Sequence, residues 1–349
     1  MTGAIFGTRI IAAPMAGGTS TPRFVQAVHQ AGGLGFLAAG YKTVESMQTD
    51  MREVRSAGAR FGMNLFVPDR SQLNPPAVVR QQLEGYRRSL EADARQYGVV
   101  LPGLRLDDDD EWQGKIDALL ADPVEFVSFT FGLPGQAEVN AIKRAGSTAV
   151  ATVTGTAEAV LAADRGADVL VVQHGSAGGH SAAFLPAGST SDSPGPATTA
   201  ELLAAVRAVV GLPLVAAGGI MDSAGVAAVL AAGGTAAQLG TAFLRSDESG
   251  ARQLHKDALA GQGFTETRMT RAFTGRQARA LVNSFVRDHE DAPEGYPAIH
   301  HLTAPIRAAA AAAGDPEKLN LWAGTGWRQA AAGPVAVIMD GLLAEAAPS

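Results

Sequence analysis

Eight short, continuously apolar runs recur along the chain, most of them closing on glycine or another small residue. No other feature of the sequence limits the fold so strongly. The runs are Ile10–Ala16, Leu34–Ala39, Phe61–Val67, Phe126–Gly132, Thr148–Gly155, Val169–Gly175, Pro213–Gly219 and Ala236–Phe243. They do not alternate apolar with polar residues, so they read as parallel strands covered on both faces. Amphipathic stretches lie between them: Thr21–Gly32, Thr43–Gly58, Gln136–Gly146, Thr156–Gly166, Thr198–Gly211 and Asp222–Gly233. These begin near a capping residue or close on glycine, as helices do, with Thr156 and Asp222 as helix starts. Eight such units predict an α/β fold of the (β/α)8 TIM barrel type. A doubly wound sheet is the alternative, but it has no need of eight strands and nothing marks a reversal of strand order.

Two segments stand outside the repeat. Residues 1–244 read as the barrel, with a polar insertion at about 68–122. Inside the insertion Val78–Gln96 has helical patches, and Asp107–Glu111 reads as a solvated acidic loop. Residues 245–301 read as a small, mainly helical second domain capping the C-terminal face of the barrel. Residues 302–349 read as a C-terminal segment returning to the barrel, with Ala308–Ala313 helical by propensity.

Composition removes several function classes. The chain has no cysteine, which excludes disulfides, thiolate metal sites, iron–sulfur clusters and cysteine nucleophiles. A formal charge of −6 gives no basic footprint for nucleic acid or an anionic membrane. No run approaches the roughly 20 apolar residues of a spanning helix. The first apolar stretch is short, follows Arg9 and is broken by Pro14, so it makes a poor signal peptide and a cytoplasmic protein is expected.

In this fold the active site is built from the loops that follow the strands. The first run delivers Pro14, Met15 and Ala16 there, and the third delivers Asn64. The sixth delivers Gln173 and then Gly178, Gly179 and His180. The seventh ends at Gly218 and Gly219, and the eighth carries Gln238, Leu239, Gly240 and Thr241. Barrels of this kind bind phosphate in the last two loops, where glycine admits the backbone and N–H groups neutralise the charge. The plainer reading is that these glycines only form tight turns. His180 is the acid–base candidate, since an unperturbed imidazole titrates near neutrality; its plainer reading is a hydrogen-bonded structural histidine. His174 would point back into the barrel or sideways.

Competing motifs fail on context. Gly33–Ala38 matches GxGxxA but precedes a strand instead of following one. Ser176 lies in HGSAG, which lacks the first glycine of a nucleophile elbow. Walker A and HExxH sequences are absent, and no metal site is expected.

The stretches APMAGG, FGMNLFVP, QHGSAGGH, AAGGI, QLGTAF, TRAFTGRQARALVN, GYPAIHHLTAPIR and NLWAGTGW follow one another in this order. In them the chain resembles the FMN-dependent nitronate monooxygenases of class I, formerly called 2-nitropropane dioxygenases, over nearly its whole length. The resemblance implies non-covalent FMN, with Met15 by the flavin ring and Asn64 and Gln173 hydrogen-bonded to it. It implies that Gly178, Gly219 and Gln238–Thr241 hold the phosphate end, that His180 is the catalytic histidine, and that Tyr296 reaches over the substrate. The implied reaction oxidises an alkyl nitronate, such as propionate 3-nitronate, with O2 to a carbonyl compound and nitrite. The expected partners are therefore a small nitronate or nitroalkane and O2, with no nucleic acid or membrane, acting on a monomer or homodimer. Departures from the family pattern lie around His174–Ala177, after His180 and at His301, all beside the expected substrate position. Two other activities fit the same residues: an FMN-dependent NAD(P)H:quinone or enoyl reductase, and a non-catalytic barrel that binds a phosphate ligand.

Overall fold

The computed structural model describes residues 5–71, 73, 75–186 and 196–344. In chain order its strands are β1 (Ile10–Ala12), β2 (Leu34–Ala38), β3 (Phe61–Phe66), β4 (Phe126–Thr130), β5 (Thr148–Val153) and β6 (Val169–Gln173). They continue with β7 (Gly179–His180), β8 (Leu214–Ala217), β9 (Ala236–Leu239), β10 (Thr267–Thr270) and β11 (Ala278–Leu281). β1 to β6, β8 and β9 form a closed parallel barrel, so the fold is a TIM barrel. β1 closes it against β9 through the pairs Ile10–Ala237, Ile11–Gln238 and Ala12–Leu239. Each apolar run contains one barrel strand at its front, and the residues behind that strand become the loop at the C-terminal face. Ile10–Ala16 shows why: only Ile10–Ala12 joins the ladder, and Pro14 has no N–H to extend it.

The helices are α1 (Pro22–Gln30), α2 (Val44–Ser56), α3 (Ala77–Ser89), α4 (Glu91–Gln96), α5 (Trp112–Ala121), α6 (Gln136–Arg144) and α7 (Thr156–Asp164). Then come α8 (Thr199–Arg207), α9 (Ser223–Ala231), α10 (Gln253–Ala260), α11 (Ser284–Asp288), α12 (Ala298–Ala312) and α13 (Val335–Leu343). α1, α2, α5 to α9 and α13 bury their apolar faces against the outside of the barrel. Asp222 caps α9 by accepting from Gly225 N–H at 2.8 Å. The start of α7 is held differently. The Glu158 carboxylate turns back to accept from the Thr154 N–H at 2.6 Å and its hydroxyl at 2.8 Å.

Inside the barrel Ile11, Leu34, Phe36, Phe126, Val150, Val171 and Val215 fill the lumen, and Phe6 packs beneath them with its ring 4.8 Å from that of Phe126. A filled lumen leaves the C-terminal face as the place for a ligand.

The second lobe differs from the sequence expectation in composition and limits. Its core joins Leu83, Tyr86 and Leu90 to Phe273, Phe285, Ile299, Leu302 and Ile306. Thus α3 and α4, from the 68–122 insertion, pack into the second lobe, because Leu83 and Tyr86 give α3 an apolar face that the barrel does not cover. The boundary expected at residue 301 falls inside α12, whose buried side chains Ile299, Leu302 and Ile306 are one continuous face. The lobe is also not only helical: β10, β11 and β7 form a three-stranded antiparallel sheet.

The acidic run is only in part a solvated loop: Asp107, Asp109 and Glu111 are exposed, but the run is also tied down. Asp108 bonds the His301 ring at 2.6 Å, and Asp110 pairs at 2.8 Å with Lys115, which is 1% exposed. Glu111 accepts from Val44 N–H at 2.8 Å, placing a negative charge at the start of α2. Asp108 and Glu111 are held by distant partners that a local charge pattern cannot reveal.

Candidate active site

A cavity of about 280 Å3 opens at the C-terminal face, between the strand ends and the second lobe. On the barrel side Pro14, Met15, Ala16, Asn64, Gln173, Gly178, Gly179, Gly218, Gly219 and Gln238 to Thr241 line it, as does His180. The second lobe adds Arg252, His255, Thr274, His300, Arg307, Asn320 and Trp322. Among the described lining residues there is no aspartate or glutamate.

Glycine at the sixth and seventh strand ends serves contact between loops. A Cβ on Gly178 would lie 2.5 Å from Gly324 N and 2.6 Å from the Ala323 carbonyl carbon. Gly219 has φ +70°, and a Cβ there would lie 2.8 Å from the Ser176 hydroxyl oxygen. Gly324 N–H donates to the Thr241 hydroxyl and Thr325 N–H to the Ser176 carbonyl, each at 3.0 Å. The 323–325 segment is therefore a third member of this loop cluster. The backbone N–H groups of Gly219 and Gly240 have no hydrogen-bond partner among the described residues. A three-residue turn of 3-10 helix, Thr241–Phe243, follows. His174 stays out of the lining; its Nδ1 is 2.8 Å from the Ser176 hydroxyl, and its Nε2 is 3.2 Å from the Pro196 carbonyl oxygen.

His180 sits on β7, at the seam where the barrel meets the second-lobe sheet. Three side chains from separate elements hold the backbone around it. Gln173 donates to the His180 carbonyl at 3.1 Å and accepts from Ala182 N–H at 2.8 Å. Arg276 donates to the Ser181 and Ala183 carbonyls. Glu158 accepts from Phe184 N–H at 2.7 Å and Leu185 N–H at 3.1 Å. The ring is boxed by Phe131, Trp322 and Tyr296 at centroid distances of 5.4, 5.3 and 6.0 Å. Its Nε2 is 2.9 Å from the Thr274 hydroxyl, which donates onward to the Arg276 carbonyl. That hydroxyl accordingly accepts from Nε2–H, and Nδ1 keeps the lone pair. Burial, then the nearby charges of Arg276 and Arg307, push His180 down to about 3, so it is a neutral base at pH 7.

Asn64 is buried, and its NH2 group lies 2.9 Å from the Ser128 hydroxyl and 3.0 Å from that of Thr130. It also lies 3.3 Å from the Ser128 carbonyl, which can only accept, so the amide oxygen is the atom left for the cavity. Tyr296 lies outside the lining of the main cavity. It packs behind His180 and Phe131 and borders a smaller space with Tyr41, Phe66 and Asp108 to Asp110.

Sequence reading missed the residues that converge from elsewhere: Tyr41, Phe131, Arg252, His255, Thr274, His300, Arg307, Asn320 and Gly324. Tyr41 and Phe131 have φ of 68° and 76°, conformations that cost a residue with a Cβ about 1–2 kcal/mol. Tyr41 is secured there by its N–H donating to Asp110 at 2.9 Å and by its ring stacking on His300 at 4.0 Å. Neither strain nor convergence leaves a local sequence signal.

Closed barrel, filled lumen and a cavity at the strand ends, with two arginines and no acid among its described lining, define a TIM-barrel enzyme. The chain belongs to the nitronate monooxygenase family: the family model described as "Nitronate monooxygenase" matches residues 1–345. It is an oxidoreductase of that family. A "Probable nitronate monooxygenase" of Staphylococcus aureus (strain Newman) is 34% identical over 341 residues, covering 96% of this chain and 93% of the relative. Among solved structures, nitroalkane oxidase from Streptomyces ansochromogenes is 44% identical with a TM-score of 0.90, covering 97% of this chain and 95% of that one. FabK from Thermotoga maritima, at 24% identity and a TM-score of 0.72 over 97% of this chain and 92% of its own, shares the fold. No helix among the described residues is long and apolar enough to cross a membrane. Nor do they contain a group of three or more His, Cys, Asp or Glu able to hold a metal ion.

Proposed function

We propose that the protein binds FMN without covalent attachment and oxidises alkyl nitronates with O2 to a carbonyl compound and nitrite. The observation that carries this reading is a cavity at the strand ends with unpartnered backbone N–H groups, two arginines and no acid among its described lining. That donor set suits a phosphate group at one end and an anionic substrate at the other. Gly178, Gly218, Gly219 and Gln238 to Thr241 would hold the phosphate end. Pro14, Met15, Ala16, Asn64, Gln173 and Gly179 would line the ring. The Asn64 amide oxygen offers an acceptor to a ring N–H, and the second N–H of Gln173 remains available beside the His180 loop. Bound FMN supplies one-electron oxidation of the nitronate and reaction with O2.

The chain's own residues do the rest. His180 Nδ1 removes the α proton from a neutral nitroalkane, and Thr274 fixes the ring by accepting from Nε2–H. A nitronate has already lost that proton and needs no base. Tyr296, Phe131 and Trp322 keep water from the ring of His180 and hold its position. The purified protein should be yellow, take up oxygen and release nitrite when ethyl nitronate or propionate 3-nitronate is added. Absence of nitrite with the flavin fully bound would end this reading. Anaerobic bleaching by NADH without nitrite release would point to the reductase instead.

A further inference from the structure

We propose that Arg307, and not His180, is the residue that recognises the negative charge of the substrate, so that Arg307 sets the preference for a nitronate over its neutral nitroalkane. This rests on the reading of the cavity as a nitronate site. Arg307 projects from α12 into the cavity lining. Its Nε donates to the Thr303 hydroxyl at 3.1 Å and its Nη2 to the His300 carbonyl at 2.9 Å. Its longer contacts are to Asn320 Oδ1 at 3.5 Å and His300 Nδ1 at 3.4 Å. Every one of these partners is neutral, since burial holds His300 well below the ordinary imidazole range.

The fold gives its buried lysines an acid, and its other enclosed arginine, Arg276, spends its donors on the Ser181 and Ala183 carbonyls and lies over the Phe131 ring, outside the cavity lining. Lys318 is paired with Asp93 at 2.8 Å and Asp288 at 3.1 Å, and Lys115 with Asp110 at 2.8 Å. A cation taken out of water without a counter-charge is costly, and Arg307 lines the cavity with donor capacity facing only neutral groups. Arg307 has no such partner among the described residues, and burial pushes its guanidinium down to about 10. The missing anion is then one that comes and goes. His180 cannot be its partner at neutral pH, because it carries no charge there. Arg252, the other arginine in the lining, is exposed at the rim, so the inner charge is that of Arg307. A planar guanidinium fork matches the two oxygens of a nitronate as it matches a carboxylate.

The test uses FMN-loaded enzyme carrying Arg307→Gln and, separately, Arg307→Lys. Each is assayed with freshly prepared ethyl nitronate and with nitroethane. Loss of a charged hydrogen bond predicts that the nitronate-to-nitroethane ratio of kcat/KM falls at least about tenfold in Arg307→Gln. Arg307→Lys should recover part of that ratio. Nitrate, an unreactive trigonal anion of the same charge, is titrated calorimetrically into the same proteins and should bind at least about tenfold more weakly to Arg307→Gln. Equal losses on both substrates, or nitrate affinity unchanged in Arg307→Gln, would overturn the proposal. If Arg307→Gln does not fold, Arg307→Lys decides it, since a lost fork should still shift the substrate ratio and nitrate affinity several-fold. If the unmodified enzyme releases no nitrite from either substrate, the nitronate reading fails by itself. The nitrate titration would still show whether Arg307 binds anions.

Discussion

The cavity has two walls made in different ways. The barrel wall is backbone: Gly178, Gly218, Gly219 and Gly240, with amide side chains at the strand ends. The second-lobe wall is side chain: Arg252, His255, His300, Arg307 and Trp322, carried mostly by α10 and α12 and the chain around residue 322. The first wall tolerates no added atom at Gly178 and Gly218, where its loops touch backbone to backbone. The second fixes charge and tautomer, and its residues are held by long hydrogen-bonded reach across the seam. The contrast suggests a division of labour, with a rigid cradle for the cofactor facing a polar wall for the substrate.

Gly178→Val is the hardest test of the cradle. Its new side chain would meet the Gly324 and Ala323 backbone, which cannot step aside cheaply. We expect loss of nearly all bound flavin, read from the absorbance ratio of the purified protein, and a stability loss of roughly 1–3 kcal/mol or more. A variant that keeps its flavin would mean the loop cluster is looser than the contact distances say.

His180→Asn probes the seam between the two walls and should spare the cradle. Flavin content should hold while kcat/KM for nitroethane falls by about 10²–10⁴-fold, the usual worth of a positioned base. Activity on the ready-made nitronate should fall far less. Equal losses on both substrates would deny His180 the role of base and break the proposed division.

The two walls also differ in how much of them could be read from the sequence. The strand-end residues were legible because each follows its own apolar run, and a parallel strand buried on both faces writes that run locally. Gly178 and Gly219 were legible as positions but not for their reason. The segment that forbids a Cβ at Gly178, Ala323–Gly324, lies some 145 residues later in the chain. Arg307 belongs to an alanine-rich helix whose pattern announces only helix. His301 and Asp108 are partners across 193 residues, which no spacing rule can detect. The boundary drawn at 301 missed because the charge-rich stretch ends there while the apolar face of α12 runs on to Ile306 and Ala310.

Asp93→Asn should injure the second lobe alone. Asp93 accepts from His289 at 2.9 Å and from Lys318 at 2.8 Å, and all three are nearly buried. Removing one member of a buried charge network costs about 3 kcal/mol or more, here moderated because Lys318 keeps Asp288. Urea unfolding should show that loss while flavin stoichiometry at low temperature stays near one. Loss of flavin in parallel would mean the walls fold as one unit and cannot be separated.

The mildest test concerns the neutral histidines of the second-lobe wall. His255 donates from Nε2 to the Trp322 carbonyl at 3.0 Å, and burial pushes it down to about 4 against an ordinary 6.5. The unfolded chain therefore binds a proton near pH 6.5 that the folded chain refuses until about pH 4. Stability is full above pH 6.5 and falls as pH drops through that window, because the unfolded state holds the extra proton. His255→Gln removes this group, so the stability difference between pH 7 and pH 5 should shrink by about 2 kcal/mol. Urea midpoints at the two pH values measure it. An unchanged difference would mean that His255 titrates normally and that this wall is wetter than its packing indicates.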